Sequence, residues 1–328
     1  MIEPERTMIR ILATVGATVA IAVGAAAQSR VSYFNVPPGG RPHDVAAAPD
    51  GNVWYTAQGS GHLGILDPKT GKVELVALGP SSAPHGVIVG PDGAAWITDS
   101  GLNANVRYDP KTRELKVFPL PKEFPNANLN TGVFGKDGVY WFTGQGGVYG
   151  RVDPKTGKTD AWKAPKGYGP YGIAATPSGD IWYVSLAGDH LTKIDTTTGQ
   201  ATVVEPPRKN VGPRRIWSDT KGMLWVSFWH SGEVGRYDPV AKTWKTWKTW
   251  RLPSNSGAGC YSVYVDGQDK VWLTDFTANA IVRFDPATEK FESFPSDRRG
   301  ASVRQMLGRP GEAWGAESGN DRLVLVRY

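Results

Sequence analysis

Seven tryptophans recur along this chain at nearly constant intervals, and that recurrence restricts the fold more than any other feature. Trp54, Trp96, Trp141, Trp182, Trp225, Trp272 and Trp314 are separated by 42, 45, 41, 43, 47 and 42 residues. Each stands late in a similar segment. The clearest copies are RPHDVAAAPDGNVWYTA from Arg41, APHGVIVGPDGAAWITD from Ala83, GPYGIAATPSGDIWYVS from Gly169 and GPRRIWSDTKGMLWVSF from Gly212, with looser copies from Leu129, Gly259 and Ala301. A period near forty with a late tryptophan is the pattern of four-stranded propeller blades.

Each unit divides in the same way. An apolar strand enters a Pro-Asp-Gly type turn, a second strand carries the tryptophan, and a polar loop leads to a third strand. An Asp-Pro turn then leads to a fourth strand. Asp67, Asp109, Asp153, Asp238 and Asp285 precede prolines, and Asp195 precedes Thr196. Proline fixes φ and aspartate bonds nearby backbone, so these acids are expected to build turns. The last unit ends at RLVLVRY, its third strand, while VSYFNVP from Val31 resembles the fourth strands KVFPLP and KFESFP. The expected fold is therefore all-β. It is a seven-bladed β-propeller of four-stranded blades in which an N-terminal strand completes the last blade and closes the ring. The stretch KTWKTWKTWRLP from Lys242 departs from the repeat. Trp244, Trp247 and Trp250 there are expected on an outer strand with a short extension, with a stacking surface as the alternative.

Residues 1–27 read as a signal peptide. Arg6 and Arg10 precede an apolar run from Ile11 to Val23, and Ala25, Ala26 and Ala27 offer a small-residue cleavage site. Residues 28–328 would then form one propeller domain, periplasmic or secreted, monomeric and without a later membrane span. One cysteine, Cys260, rules out an intramolecular disulfide and is expected to be a buried hydrophobe. The net charge of +6 comes from scattered residues, which does not indicate nucleic acid.

Repeats differ where they have function. Counting eleven residues back from each tryptophan gives His43, His85, Asn130, Tyr171, Arg214, Tyr261 and Val303. These open the innermost strands and should ring one mouth of the central channel. Counting three forward gives Ala57, Asp99, Gly144, Ser185, Phe228, Asp275 and Glu317. With the ring closed, His43, His85, Asp99, Asp275 and Glu317 fall on one arc. Asn130, Tyr171 and Arg214 face them, with Arg215, Trp229 and His230 nearby. A concave mouth lined by convergent polar groups is a binding-site candidate. His62 and His190 fall outside the pattern and are expected on the surface or in loops. Each acid also has a structural reading, as a partner for neighbouring amides.

The Pro-His-Gly and Pro-Tyr-Gly starts, the Pro-Asp-Gly turn before the tryptophan, and third strands such as GVYGRVDP at Gly147 and GEVGRYDP at Gly232 resemble the streptogramin lyase (virginiamycin B lyase) family. The resemblance spans essentially the whole mature chain. It implies a seven-bladed propeller that opens a cyclic depsipeptide at its ester by elimination, assisted by Mg²⁺. RPHDV and APHGV match the family's histidine motifs. On that basis His85 is the expected general base, removing a proton α to an ester carbonyl. His43 would orient the substrate or protonate the leaving group. Asp99 and Glu317 would hold Mg²⁺, and Asn130, Tyr171, Arg214 and Tyr261 would bind a small molecule or cyclic peptide. The family's two glutamates are replaced, one by Ala83 and the other by Ser100 beside Asp99. Two further readings therefore stand beside the lyase: a non-catalytic propeller that binds a ligand or protein at the mouth, and a calcium-dependent lactonase.

Overall fold

A computed structural model describes Met1 and residues 30–248 and 259–328. Beyond Met1, the expected signal peptide lies outside the described residues, as does Trp250. Among the described residues there are twenty-eight strands, β1 to β28 in chain order, arranged as seven antiparallel four-stranded sheets. No described helix is long and apolar enough to cross a membrane.

Closure follows the sequence expectation. β1 (Val31–Asn35) pairs with β28 (Arg322–Arg327), from Val31 opposite Val326 to Asn35 opposite Arg322, so the first strand is the outer edge of the last sheet. Asp321 secures the chain beyond it. Its carboxylate accepts from the Gly39 and Arg41 amides, each at 2.8 Å, and its carbonyl accepts from the Val36 amide at 3.0 Å.

The tryptophans hold the blades to one another. Each lies on a second strand with its ring in the seam to the following sheet. Trp54 packs with Val87 and Ile97, Trp96 with Tyr140 and Phe142, and Trp272 with Val303 and Met306. Trp314 crosses the closure to reach Val45, Val53 and Tyr55. Seven apolar clusters occupy the described seams, so the core is a ring of inter-blade layers and not one central mass. The Asp-Pro turns behave as expected. Asp67 and Asp153 each accept from the amide two residues on at 2.9 Å, and these bonds hold both carboxyls below the usual carboxylate range.

In β21 (Thr243–Lys248) Trp244 and Trp247 stand three apart on a strand and so point to opposite faces. Trp244 packs on Phe228 and Tyr237, whereas Trp247 stacks on Trp225 and meets Phe284 in the next blade. Both rings are packing elements. His190 is fully buried in β16 (His190–Ile194), its ring against Tyr183, rather than in a surface loop as the sequence suggested. Cys260 is buried, and burial pushes its thiol pKa well up.

Candidate active site at the mouth of the channel

The seven innermost strands begin with the same irregularity. Their register against the second strand holds at the first residue, breaks, and resumes two or three residues later. The bulge turns the next side chain toward the axis. The paired first residues are Pro42, Pro84, Leu129, Pro170, Pro213, Cys260 and Val303, so the inward residues are His43, His85, Asn130, Tyr171, Arg214, Tyr261 and Arg304. The seventh member is thus Arg304 and not Val303. The last blade's first hairpin is one residue shorter, so a fixed count back from Trp314 stops one residue early.

Hydroxyls two residues after five of the seven tryptophans hold the bulges; Val184 and Ala316 stand at that position in the other two blades. Thr56 accepts from the Asp44 amide at 3.0 Å and donates to the His85 carbonyl of the next blade at 2.7 Å. Thr98 does the same between Gly86 and Asn130, at 2.9 and 2.6 Å, and Ser227 between Arg215 and Tyr261, at 3.0 and 2.8 Å. Each of these hydroxyls thereby fixes the inward residue of the following blade. Blade packing also explains the glycine of the Pro-His-Gly motif, since a Cβ on Gly86 would lie 2.7 Å from the Asn130 carbonyl oxygen.

His43 and His85 are buried with ring centroids 3.7 Å apart. The acid beside them is Asp44, the residue after the first histidine. Its Oδ1 lies 2.7 Å from His43 Nδ1 and accepts from Arg215 Nη2 at 3.1 Å. Because Asp44 Oδ1 already accepts from Arg215, His43 Nδ1 is the donor to it, so His43 carries its proton on Nδ1 and presents a lone pair at Nε2; burial raises the Asp44 pKa against the pull of Arg215. Arg304 Nη1 lies 3.4 Å from that nitrogen.

A relay sets the other tautomer. Arg215 donates to Thr131, so the Thr131 hydroxyl donates onward to Asn130 Oδ1, at 2.7 Å. The Asn130 amide nitrogen then donates to His85 Nε2 at 3.2 Å, which leaves the His85 proton on Nδ1, a buried atom without an acceptor. Burial first holds both imidazoles well below the ordinary value of 6.5; Arg304, Arg215 and Arg214 add to it for His43, while for His85 the cost of two protonated rings side by side adds to it and Asp44 works against it. Both are neutral at pH 7. The two rings therefore differ in role: one offers an acceptor, the other an N–H.

Across the mouth, Tyr171 and Tyr261 share a 2.8 Å hydrogen bond, and Arg214 donates to Tyr171 at 2.9 Å. The Arg214 guanidinium lies over Tyr261 at 3.9 Å, Trp229 at 4.6 Å and Tyr171 at 4.7 Å. Phe276 stacks on Tyr261 at 4.7 Å. Burial raises the Tyr261 pKa, but Arg214, Arg215 and Arg304 outweigh it and bring it down to about 8. Burial and Tyr261 push Tyr171 up.

The carboxylates on the second strands have other partners. Asp99 accepts from the amides of Ala83, Gly101 and Leu102, at 2.9, 3.0 and 2.9 Å, and from the Ser82 hydroxyl. Glu317 pairs with Arg322 and accepts from Ser296 at 2.8 Å. Asp275 accepts from the amides of Thr277 and Ala278, each at 2.9 Å. The structure thus brings His43, His85, Asn130, Tyr171, Arg214 and Tyr261 into one network and adds Asp44, Arg215 and Arg304. Asp99 and Glu317 serve the loops around it.

A model of the virginiamycin B lyase family matches residues 74–327. The chain belongs to the virginiamycin B lyase family. Among solved structures, virginiamycin B lyase from Staphylococcus aureus superposes with a TM-score of 0.81 at 19% identity, covering 91% of this chain and 99% of that one. A catalytically inactive histidine-to-alanine variant of that enzyme, solved with quinupristin, gives 0.81 at 20% identity over 91% and 99% of the two chains. The extracellular domain of a one component system from B. thetaiotaomicron gives 0.69 at 16% identity over 90% of this chain and 42% of that one. At these identities the likenesses establish the propeller fold. No curated protein sequence matches.

Membership of the virginiamycin B lyase family implies a magnesium ion, and the donors at this mouth do not suit one. His43, Asp44 and His85 place three potential ligand atoms within 4.8 Å of one another. Magnesium prefers oxygen donors, and only one of the three is a carboxylate. That carboxylate is bonded to His43 and Arg215. Arg214 and Arg304 add two further positive charges that a cation would have to approach. Asp99 and Glu317, the expected oxygen donors, are already bonded as described above.

Proposed function

We propose that this chain is an exported carbon–oxygen lyase that opens a cyclic ester or depsipeptide at the channel mouth by elimination, using guanidinium groups where a metal ion would otherwise supply positive charge. The observation that carries the reading is the complementary imidazole pair, two rings 3.7 Å apart with a lone pair on His43 backed by Asp44 and an N–H on His85 that meets no acceptor. His43 Nε2 takes the proton from the carbon α to a carbonyl. The electron pair forms a carbon–carbon double bond, the neighbouring carbon–oxygen bond breaks, and the ester oxygen leaves in a carboxylate. Arg304, beside His43 Nε2, stabilises negative charge as it develops on the carbonyl oxygen. His85 Nδ1–H donates to the leaving carboxylate. These roles exchange those expected from the motifs, because the hydrogen-bond relay sets the two tautomers. A low-pKa imidazole is a weak base, so the reaction depends on the positive charge around it.

The test is incubation with a streptogramin B depsipeptide, with product mass as the readout. Elimination gives a linear product of unchanged mass, whereas hydrolysis adds one water and would support the lactonase reading. Ring opening should survive chelator and be lost in His43→Ala and His85→Ala. No opening above a blank would refute the lyase. The cluster of Arg214 with Tyr171, Trp229 and Tyr261 favours a second reading, binding without turnover, in which the depsipeptide is retained intact.

A further inference from the structure

The far halves of the same inner strands enclose a second space. A cavity of about 470 Å³ lies on the propeller axis, walled by inner strands from all seven blades. Its polar lining is Asp44, Thr131, Arg215 and Gln305, each the residue that follows a member of the mouth ring. One polar layer therefore separates the two spaces. The remaining wall is mostly apolar and includes Ile88, Val133, Ile173, Ile216, Trp217 and Leu307. A space of this size and composition is typical of small-molecule sites.

Two deficits in the layer define the occupant. Arg215 is 1% exposed and donates through Nη1 to Thr131 and through Nη2 to Asp44, yet its buried Nε–H has no acceptor. An unmet donor on a buried cation is costly. Charge is also unbalanced, since Asp44 stands against the guanidiniums of Arg214, Arg215 and Arg304, while both histidines are neutral. A ligand with one anionic group and an apolar body would correct both.

We infer that this cavity is a second binding site, for a small amphipathic carboxylate whose head pairs with Arg215 and whose body packs on Ile88, Val133 and Ile216. Binding there requires no chemistry at the histidines. It meets the mouth through Arg215, which the ligand shares with Asp44 and hence with His43.

Hexanoate and hexanol, titrated calorimetrically into the full chain, test the inference. Hexanoate should bind saturably and at least tenfold more tightly than hexanol. Ile88→Trp or Val133→Trp, which fill the wall without touching the polar layer, should abolish binding while the melting transition is kept. Absence of saturable hexanoate binding, equal affinity for hexanol, or unchanged binding in a folded tryptophan variant would each overturn the proposal. If both variants fail to fold, a crystal soaked in hexanoate decides: its carboxylate on Arg215 supports the site, and water alone in the cavity refutes it.

Discussion

Replacing Asp44 by asparagine removes the one carboxylate of the polar layer while keeping its shape. Arg215 Nη2 lies 3.1 Å from Asp44 Oδ1, and both side chains are nearly inaccessible. Unit charges at that spacing attract by about 5 kcal/mol at an effective dielectric of about 20. Breaking a buried pair from one side typically costs about 3–5 kcal/mol, because the surviving charge is left without compensation. Burial raises the Asp44 pKa despite Arg215, so the pair itself yields little net stability. The loss in the single variant is the cost of stranding the guanidinium. Asp44→Asn should therefore lower the unfolding free energy in denaturant titrations by about 3 kcal/mol or more. The pair Asp44→Leu with Arg215→Met should recover most of that loss, as apolar replacements of buried pairs do. A single-variant loss below about 0.5 kcal/mol, the size of an ordinary surface substitution, would refute an ionised pair at the axis.

Three further outcomes follow from the same network. Because the folded-state pKa of each of His43 and His85 is depressed, the unfolded chain binds protons first as pH falls below 6.5; stability is full above that value and falls beneath it by up to about 1.4 kcal/mol per pH unit for each imidazole. Denaturation midpoints that stay flat below pH 6.5 would contradict buried neutral histidines. Tyrosinate absorbance should show one ionisation near pH 8, removed by Tyr261→Phe, with the proton shared across the Tyr171 contact; no step below pH 9.5 (roughly the ordinary phenol range) would disprove the effect of the three arginines. Thr56→Val, which deletes the bridge from the Asp44 amide to the His85 carbonyl, should cost about 1–3 kcal/mol and should misplace His85; an unchanged melting midpoint would show that the bulge holds without it.

The fold was legible because its determinants are local and repeated. The tryptophan spacing counts the blades, and the match of VSYFNVP to the outer strands identifies the closing segment before any contact is known. The site was legible only in part. Counting from tryptophan reached His43, His85, Asn130, Tyr171, Arg214 and Tyr261, since six blades keep the same hairpin length. It missed Arg304 because one turn is shorter by a residue. Asp44 was missed for a different reason: on a regular strand the residue after an inward one faces away, and only the bulge lets both reach the axis. The acids at Asp99 and Glu317 looked functional because their positions converge on the mouth. Position does not say which donors a carboxylate will meet, and here nearby loop amides, serines and Arg322 meet them first.

The arrangement also separates what must stay constant from what can change. The tryptophan seams and the threonine or serine bridges act on backbone or on the neighbouring sheet, so they hold the inner strand whatever side chain follows its first residue. The seven inward positions can then differ freely, and this chain places two histidines, an asparagine, two tyrosines and two arginines there. Electrostatics follows from that choice. Three guanidiniums and one buried carboxylate give the mouth an excess of positive charge, which adds to burial in keeping the imidazoles neutral and outweighs burial in lowering the Tyr261 pKa. The same excess disfavours a divalent cation and favours an anion or a developing oxyanion. Exchanging Arg304 for glutamine should therefore raise the His43 pKa and weaken oxyanion stabilisation together. A variant that gained base strength yet lost turnover would locate the catalytic benefit in the arginine charge and not in the histidine.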